Sequence, residues 1–377
     1  MPWCGDRVVE TLASDVAILG GGPAGLAAAV ALVHHGLSAV VIERADYDTP
    51  REGEHLPPDT KPLLKSLGVA DAVARGRHAS CPGIRSAWGT PEPLDRDYLF
   101  HPMGEALNLF RPDFDRSLAA EVQRLGGTVW TGAQVRKCER RQGKWWLTTT
   151  REGSAGAISA IFLIDATGRT AALARRLGAR LTVYDRLVGL VGRTGGSQVT
   201  DRRVVIEALE DGWWYSAGLQ DGSLVATFFT DSDVTDLTKS ARASTWRSLL
   251  RKASMTVTRS AALLEVGDLN VRCARTQCLD RAIGRDWLAV GDAAMSFDPL
   301  CSEGIGKGMK TAVRAAAAVS AQLGGEPRAL HDYQDELRAM FSGYLVTRYR
   351  YYRAEKRWPH ARFWCRRGKT DPWHMAR

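Results

Sequence analysis

The apolar positions come in short blocks separated by turn residues. Val16-Ala17-Ile18-Leu19 runs into three glycines, then an alanine-rich stretch from Ala24 to His35 closed by Gly36, then Ser38-Ala39-Val40-Val41-Ile42. A short apolar block between turn signals predicts a buried strand, and an apolar run closed by glycine predicts a helix. The two together predict a βαβ unit of about thirty residues. Helices are expected over 61–76 and 116–125, the latter followed by Gly126-Gly127 and a strand from Thr128 to Trp130. A strand hairpin is expected over 134–150 and 158–164. Residues 80–105, rich in Pro, Gly and aromatics, suggest irregular strands. From 181 to 230 apolar and polar residues alternate, with turns at Asp211-Gly212 and Asp221-Gly222, which predicts an antiparallel sheet. A helix over 240–265, a buried strand from Trp287 to Val290 and an alanine-rich helix from Ile305 to Leu323 complete the pattern.

This interleaving predicts an α/β fold. A Rossmann-like nucleotide-binding domain is assembled from 1–79, 106–180 and 276–327. A β-rich substrate domain is inserted as 80–105 and 181–275, and 328–377 form a helical basic tail. The 377-residue length is too great for one small core.

Composition narrows the class further. Hydrophobic residues make up 45% and charged residues 25%, ordinary for a globular protein. There is no apolar run of about 18 residues, so no membrane span is expected, and the first apolar run flows into a glycine turn unlike a signal peptide. A cytoplasmic location is expected. Seven cysteines, from Cys4 to Cys365, include no Cys-x-x-Cys, which argues for reduced thiols and against a zinc site. The net charge of +9 is concentrated in the tail, where Arg348, Arg350, Arg353, Lys356, Arg357, Arg362, Arg366 and Arg367 face one acid, Glu355. With no recognised nucleic-acid module, nucleic acid is not the expected partner; an acidic protein surface fits this charge, as does a solvated helix face.

Gly20-x-Gly22-x-x-Gly25 follows a strand and opens a helix, and Glu43 ends the next strand 18 residues beyond Gly25. In that context the motif is a dinucleotide fingerprint. Gly20 makes the tight turn, Gly22 lets the backbone approach the pyrophosphate, and Gly25 lets helix and strand pack closely. The helix start at Pro23 and Ala24 offers free N–H groups to the phosphates. Glu43 is placed to accept hydrogen bonds from the ribose hydroxyls; Arg44 and Arg51 beside it join the candidate cofactor set. Later segments point to FAD. Leu163-Ile164-Asp165-Ala166-Thr167-Gly168-Arg169 ends a strand in a small-residue turn, where a dinucleotide half could pack. Trp287-Leu288-Ala289-Val290 ends in Gly291-Asp292, a carboxylate suited to ribityl hydroxyls. Asp298-Pro299-Leu300-Cys301-Ser302-Glu303-Gly304-Ile305 exposes backbone N–H groups at a helix start, suited to negative charge on a reduced flavin.

With these motifs in this order, residues 15–325 resemble the flavoprotein monooxygenases of the p-hydroxybenzoate-hydroxylase superfamily, of glutathione-reductase-type FAD fold. Arg111-Pro112-Asp113-Phe114-Asp115-Arg116-x-Leu118 is similar to that family's Arg-x-x-Phe-Asp-x-x-Leu segment, which implies that Arg111 contacts FAD; its other reading is a surface arginine before a helix. Gly53-Glu54-His55-Leu56-Pro57-Pro58, Asp211-Gly212-Trp213-Trp214-Tyr215-Ser216 and the basic aromatic tail, with Arg357-Trp358-Pro359 and Phe363-Trp364, resemble the tryptophan-halogenase branch. The halogenase Trp-x-Trp-x-Ile-Pro motif is absent, and only Lys61 and Lys65 are candidates for the lysine that captures hypohalous acid. The chain looks more similar to the halogenase-like flavoproteins that oxygenate a tryptophan of a partner polypeptide in tryptophylquinone biogenesis.

What the resemblance implies is hydroxylation of an aromatic, indole ring through a flavin C4a-hydroperoxide, with O₂ as oxidant and reducing equivalents from NAD(P)H or a separate flavin reductase. Pro299 would border the flavin, and Gly304 and Ile305 would steady it. His55, Asp298 and Glu303 are candidates for proton handling, each with a structural reading beside it; Trp213, Trp214 and Phe228 are candidates for the substrate pocket or for core. The partner polypeptide would dock on the basic tail. A halogenase or hydroxylase of a free indole, and a non-catalytic flavoprotein scaffold, are the alternatives.

Overall fold

A computed structural model describes residues 11–151, 153–196 and 199–369. Cys4 and the last residues of the tail lie outside them. Two sheets organise the chain. The first has eight strands, with Thr11–Leu19 between Ser154–Asp165 and Ala39–Ile42. Thr128–Trp130 lies beyond Ala39–Ile42, and Trp287–Ala289 lies beyond Ser154–Asp165; all these pairings are parallel. Val16, Ile18, Val40, Val41 and Ile164 are sealed on both faces, as a parallel sheet between helices requires. The Pro23–His34 helix and the Gly304–Leu323 helix cover one face with alanine-rich sides, so they approach closely.

The register sets up the site. Leu19 pairs with Ile42 and with Asp165, and Asp165 with Ala289. The carboxyl ends of these strands therefore lie in one row. Gly20, Glu43, Ala166 and Val290 emerge along a single edge, where α/β sheets bind nucleotides.

The second sheet has seven strands and mixes segments distant in sequence. Gly83–Ala87 and Leu94–Asp97 join Leu187–Arg193, Val204–Leu209, Gly212–Gly218, Leu224–Asp231 and Asn270–Cys273. Its pairings are antiparallel except one: Val204–Leu209 runs parallel to Gly83–Ala87. The stretch expected as one helix over 240–265 is a helix only over Arg242–Lys252, followed by short 3₁₀ turns. The 61–76 stretch is two short helices, Lys61–Ser66 and Ala70–Ala74. The tail folds as helices Ala329–Ala354 and Arg362–Lys369. No helix among the described residues is long and apolar enough to cross a membrane.

Candidate active site

At the carboxyl edge of the first sheet, Gly20 takes φ +109°, and a Cβ there would strike the Ala166 carbonyl oxygen at 2.2 Å. A Cβ on Gly25 would lie 1.9 Å from the Gly20 carbonyl oxygen, so strand turn and helix touch backbone to backbone. Gly22 differs: a Cβ there meets no atom within 4 Å. It caps the Pro23–His34 helix with no side-chain acceptor, and the first intrahelical bond runs from Leu26 N to Gly22 O. The open space over Gly22 and the uncapped N–H groups fit a pyrophosphate. Glu43 lies beside the glycine turn. Its Oε2 accepts from Gly21 N at 2.7 Å, and its Oε1 from Ala45 N at 3.0 Å and Arg51 Nη2 at 2.9 Å. Arg44 is exposed at the rim.

Asp292 follows Gly291, whose left-handed φ of +57° turns the chain toward the Pro23–His34 helix. Burial alone would raise the Asp292 carboxyl, but Lys307 and Arg169 outweigh it and hold the group below the usual range. Lys307 is fully buried, donating to Asp292 Oδ1 and to the Met295 carbonyl, both at 2.6 Å. Arg111 opens its helix and lies on the cavity wall, anchored to Asp115 at 3.0 Å and to the Glu52 carbonyl. It is not the surface arginine of the alternative reading. The Gly304–Leu323 helix also has no side-chain cap, and Gly304 and Ile305 line the cavity.

That cavity, of about 360 Å³, runs from the fingerprint to the inner face of the second sheet. Its sheet wall is Val191, Tyr215, Thr227 and Phe229. Trp214 and Phe228 are not on it: they point to the opposite face and pack with Trp246, 4.7 Å from Trp214 between ring centroids. Trp213 shares the cavity face but is wholly buried behind Phe229, stacked at 4.3 Å. The reason is strand alternation. Trp213 pairs with Phe229 and Tyr215 with Thr227 on one face, while Trp214 pairs with Phe228 on the other.

The three proton-handling candidates separate. Glu303 is exposed and off the cavity wall. Asp298 lines the cavity, but its carboxylate is engaged: it accepts from Leu300 N, from Tyr352 Oη at 2.7 Å and from Arg348 Nε at 3.3 Å. It is an anchor for the turn and the tail. His55 is on the wall and buried. Asn108 gives both its amide hydrogens to the Arg202 and Gly218 carbonyls, so its Oδ1 faces His55 Nδ1 at 3.3 Å. That assigns the proton to Nδ1 and leaves Nε2 as the acceptor. Burial pushes the imidazole down to about 4, opposed by the Asn108 hydrogen bond, so it is neutral near pH 7. Beside it lies a group the motif reading passed over as a candidate acid, Glu54. Burial raises its carboxyl, against the pull of its own backbone N–H and of Arg111 and Arg193. Its signal was present in the Gly53-Glu54-His55 loop.

The basic tail is largely turned inward. Arg366 and Arg367 bind Asp231, Arg362 and Arg366 bind Asp233, Arg348 binds Asp185, and Arg357 binds Glu355. Arg350, Arg353 and Lys356 stay on the outer face.

A chain with this fold and this edge-on dinucleotide cradle is an FAD-dependent oxidoreductase. Residues 13–347 match the FAD binding domain family, and the chain belongs to it. It is 32% identical over 362 residues to the putative FAD-dependent oxidoreductase LodB of Marinomonas mediterranea, covering 94% of this chain and 96% of that one. It is 26% identical to the tryptophan 2-halogenase of Chondromyces crocatus over 83% of this chain, and spans 62% of that longer protein. Among solved structures, the peptidyl tryptophan dihydroxylase QhpG, essential for tryptophylquinone cofactor biogenesis, superposes with a TM-score of 0.79 at 25% identity, covering 94% of this chain and 78% of that one. The flavin-dependent halogenase CmlS shares the fold, with a TM-score of 0.84 at 23% identity over 96% of this chain and 68% of that one.

Proposed function

We propose that this oxidoreductase transfers oxygen to the indole ring of a tryptophan carried by a partner polypeptide, a step in building a tryptophylquinone. One observation carries this reading over halogenation: among the described residues, no lysine lines the cavity, where capture of hypohalous acid would need one. Lys61 is bonded to the Met103 carbonyl, Lys65 is exposed, and Lys307 is held behind Asp292. The wall of Val191, Tyr215 and Phe229 suits a flat apolar ring. The likeness to QhpG supports the same substrate class.

FAD, when bound and reduced, would activate O₂ so that one of its atoms goes to the ring and the other leaves as water; the protein supplies position, dryness and proton management. The Gly22–Gly25 turn and Glu43 would hold the adenosine end, and Asp292 would accept from the ribityl hydroxyls. Pro299, Gly304 and Ile305, which line the cavity, would border the ring. Neutral His55, with Nε2 as acceptor, and Glu54, whose carboxyl burial raises, lie side by side on the wall and are the groups placed to handle protons. Reducing equivalents come from NAD(P)H or a partner reductase. The partner polypeptide meets Arg350, Arg353 and Lys356 with an acidic surface.

The test is incubation of the FAD-loaded protein with a reductant, O₂ and bromide, offering free tryptophan and the candidate partner polypeptide together. Oxygen on the polypeptide's tryptophan is expected. Brominated free tryptophan would overturn the reading in favour of a halogenase, and reduced flavin that never couples to either substrate would favour a scaffold.

A further inference from the structure

The tail reaches the interior at one point. Tyr352, on the Ala329–Ala354 helix, is buried, and its hydroxyl lies between two groups from other parts of the chain. Trp213 Nε1 donates to it at 3.2 Å, and it donates to Asp298 Oδ2 at 2.7 Å. An indole N–H can only donate and a carboxylate can only accept, so the hydroxyl has a single orientation. Each partner backs one wall of the cavity. Trp213 is stacked on Phe229, the aromatic face of the substrate wall. Asp298 caps the Pro299 turn that leads into Gly304 and Ile305. The Tyr352 ring is clamped by the guanidinium groups of Arg348 and Arg367, each 5.0 Å from its centroid, and by the edge of Trp88.

We propose that Tyr352 is a positioning residue whose hydroxyl fixes the spacing between the wall that holds the aromatic substrate and the loop that borders the flavin. The proposal rests on the reading of an aromatic ring held against Phe229. Oxygen transfer tolerates little misplacement: an error of about 1 Å between reacting groups costs on the order of a hundredfold in rate. A hydroxyl bridging both walls is a compact way to hold that distance, and phenylalanine at the same place would keep the packing while cutting the bridge.

Tyr352→Phe and Trp213→Phe test it in the FAD-loaded protein. The first readout needs no substrate. In Tyr352→Phe, amide hydrogen exchange should quicken together in the 298–304 loop and in the 224–231 strand, with FAD affinity unchanged. Quickening in only one segment, or in neither, would overturn the bridge. The second readout is the ratio of oxygenated indole to hydrogen peroxide per O₂ consumed. Tyr352→Phe should lower that ratio by about tenfold, a partial loss of alignment, and adding Trp213→Phe should lower it little further, because both cut one bridge. An unchanged ratio, or two losses that multiply, would also overturn it. If the wild-type protein oxygenates no indole, the substrate reading fails while the exchange experiment still decides the bridge.

Discussion

The Lys307 ammonium sits 2.6 Å from Asp292 Oδ1 at a place where the lysine is 1% exposed and the aspartate is partly open to the cavity. A buried lysine without a partner would be costly, so the two charges depend on each other. Lys307→Met should destabilise the protein by roughly 1–3 kcal/mol, discounted for the open side of Asp292. It should also weaken FAD binding, because Asp292 loses the contact that aims it. Adding Asp292→Asn should restore much of the melting temperature and none of the FAD affinity. Thermal melts and FAD titrations of the three variants check this.

The fingerprint glycines divide by role. Gly22→Ala places a methyl in open space, so the protein should fold with its normal melting temperature without FAD. Its FAD affinity should fall by at least about tenfold, near 1.4 kcal/mol, because the methyl occupies the pyrophosphate's path. Gly25→Ala drives a methyl to 1.9 Å from a backbone oxygen and should destabilise the fold itself. Equal stability losses in both variants would refute the assignment.

His55 makes the protein sensitive to acid. Its imidazole is pushed down to about 4 when folded, against an unfolded value near 6.5. Below pH 6.5 the unfolded chain binds the proton that the folded chain refuses, so stability is complete above that pH and drains away as pH falls toward 4. The full effect is on the order of 3 kcal/mol. His55→Gln should flatten the pH dependence of the melting temperature between pH 6.5 and 4. An equally steep slope in the variant would contradict it.

The short Arg362–Lys369 helix is held by charge. Asp231 is buried, and the bonds and charges of Arg367 and Arg366 outweigh burial to hold its carboxyl below the usual range. Asp231→Ala strands the buried Arg367, and a loss of about 3 kcal/mol is expected for a broken buried pair. Limited proteolysis should then cut near residues 355–362 faster than in the wild type, at unchanged FAD content.

The cofactor half of this site was legible because its logic is local. A strand, a glycine turn and a helix lie within 25 residues, and Glu43 follows at a fixed spacing. The substrate half was not. The Gly212–Gly218 strand is covered on both faces, so its Trp213-Trp214-Tyr215 run carries no polar alternation to say which ring meets the cavity. The tail's charge could be counted, but its partners Asp185, Asp231 and Asp233 lie more than 125 residues earlier, where no periodicity links them. Asp298 was visible as a carboxylate beside the flavin loop; that Tyr352 and Arg348 occupy it depends on how the last long helix docks.

The most direct measurement is peptide mass mapping of the partner polypeptide after reaction with the FAD-loaded protein, reductant and ¹⁸O₂. Addition of about one or two labelled oxygen atoms to a single tryptophan is predicted, since the flavin delivers one atom per turnover. A polypeptide that leaves unlabelled and unchanged, while the reduced flavin is reoxidised at full rate, would contradict oxygen transfer to a protein-borne indole.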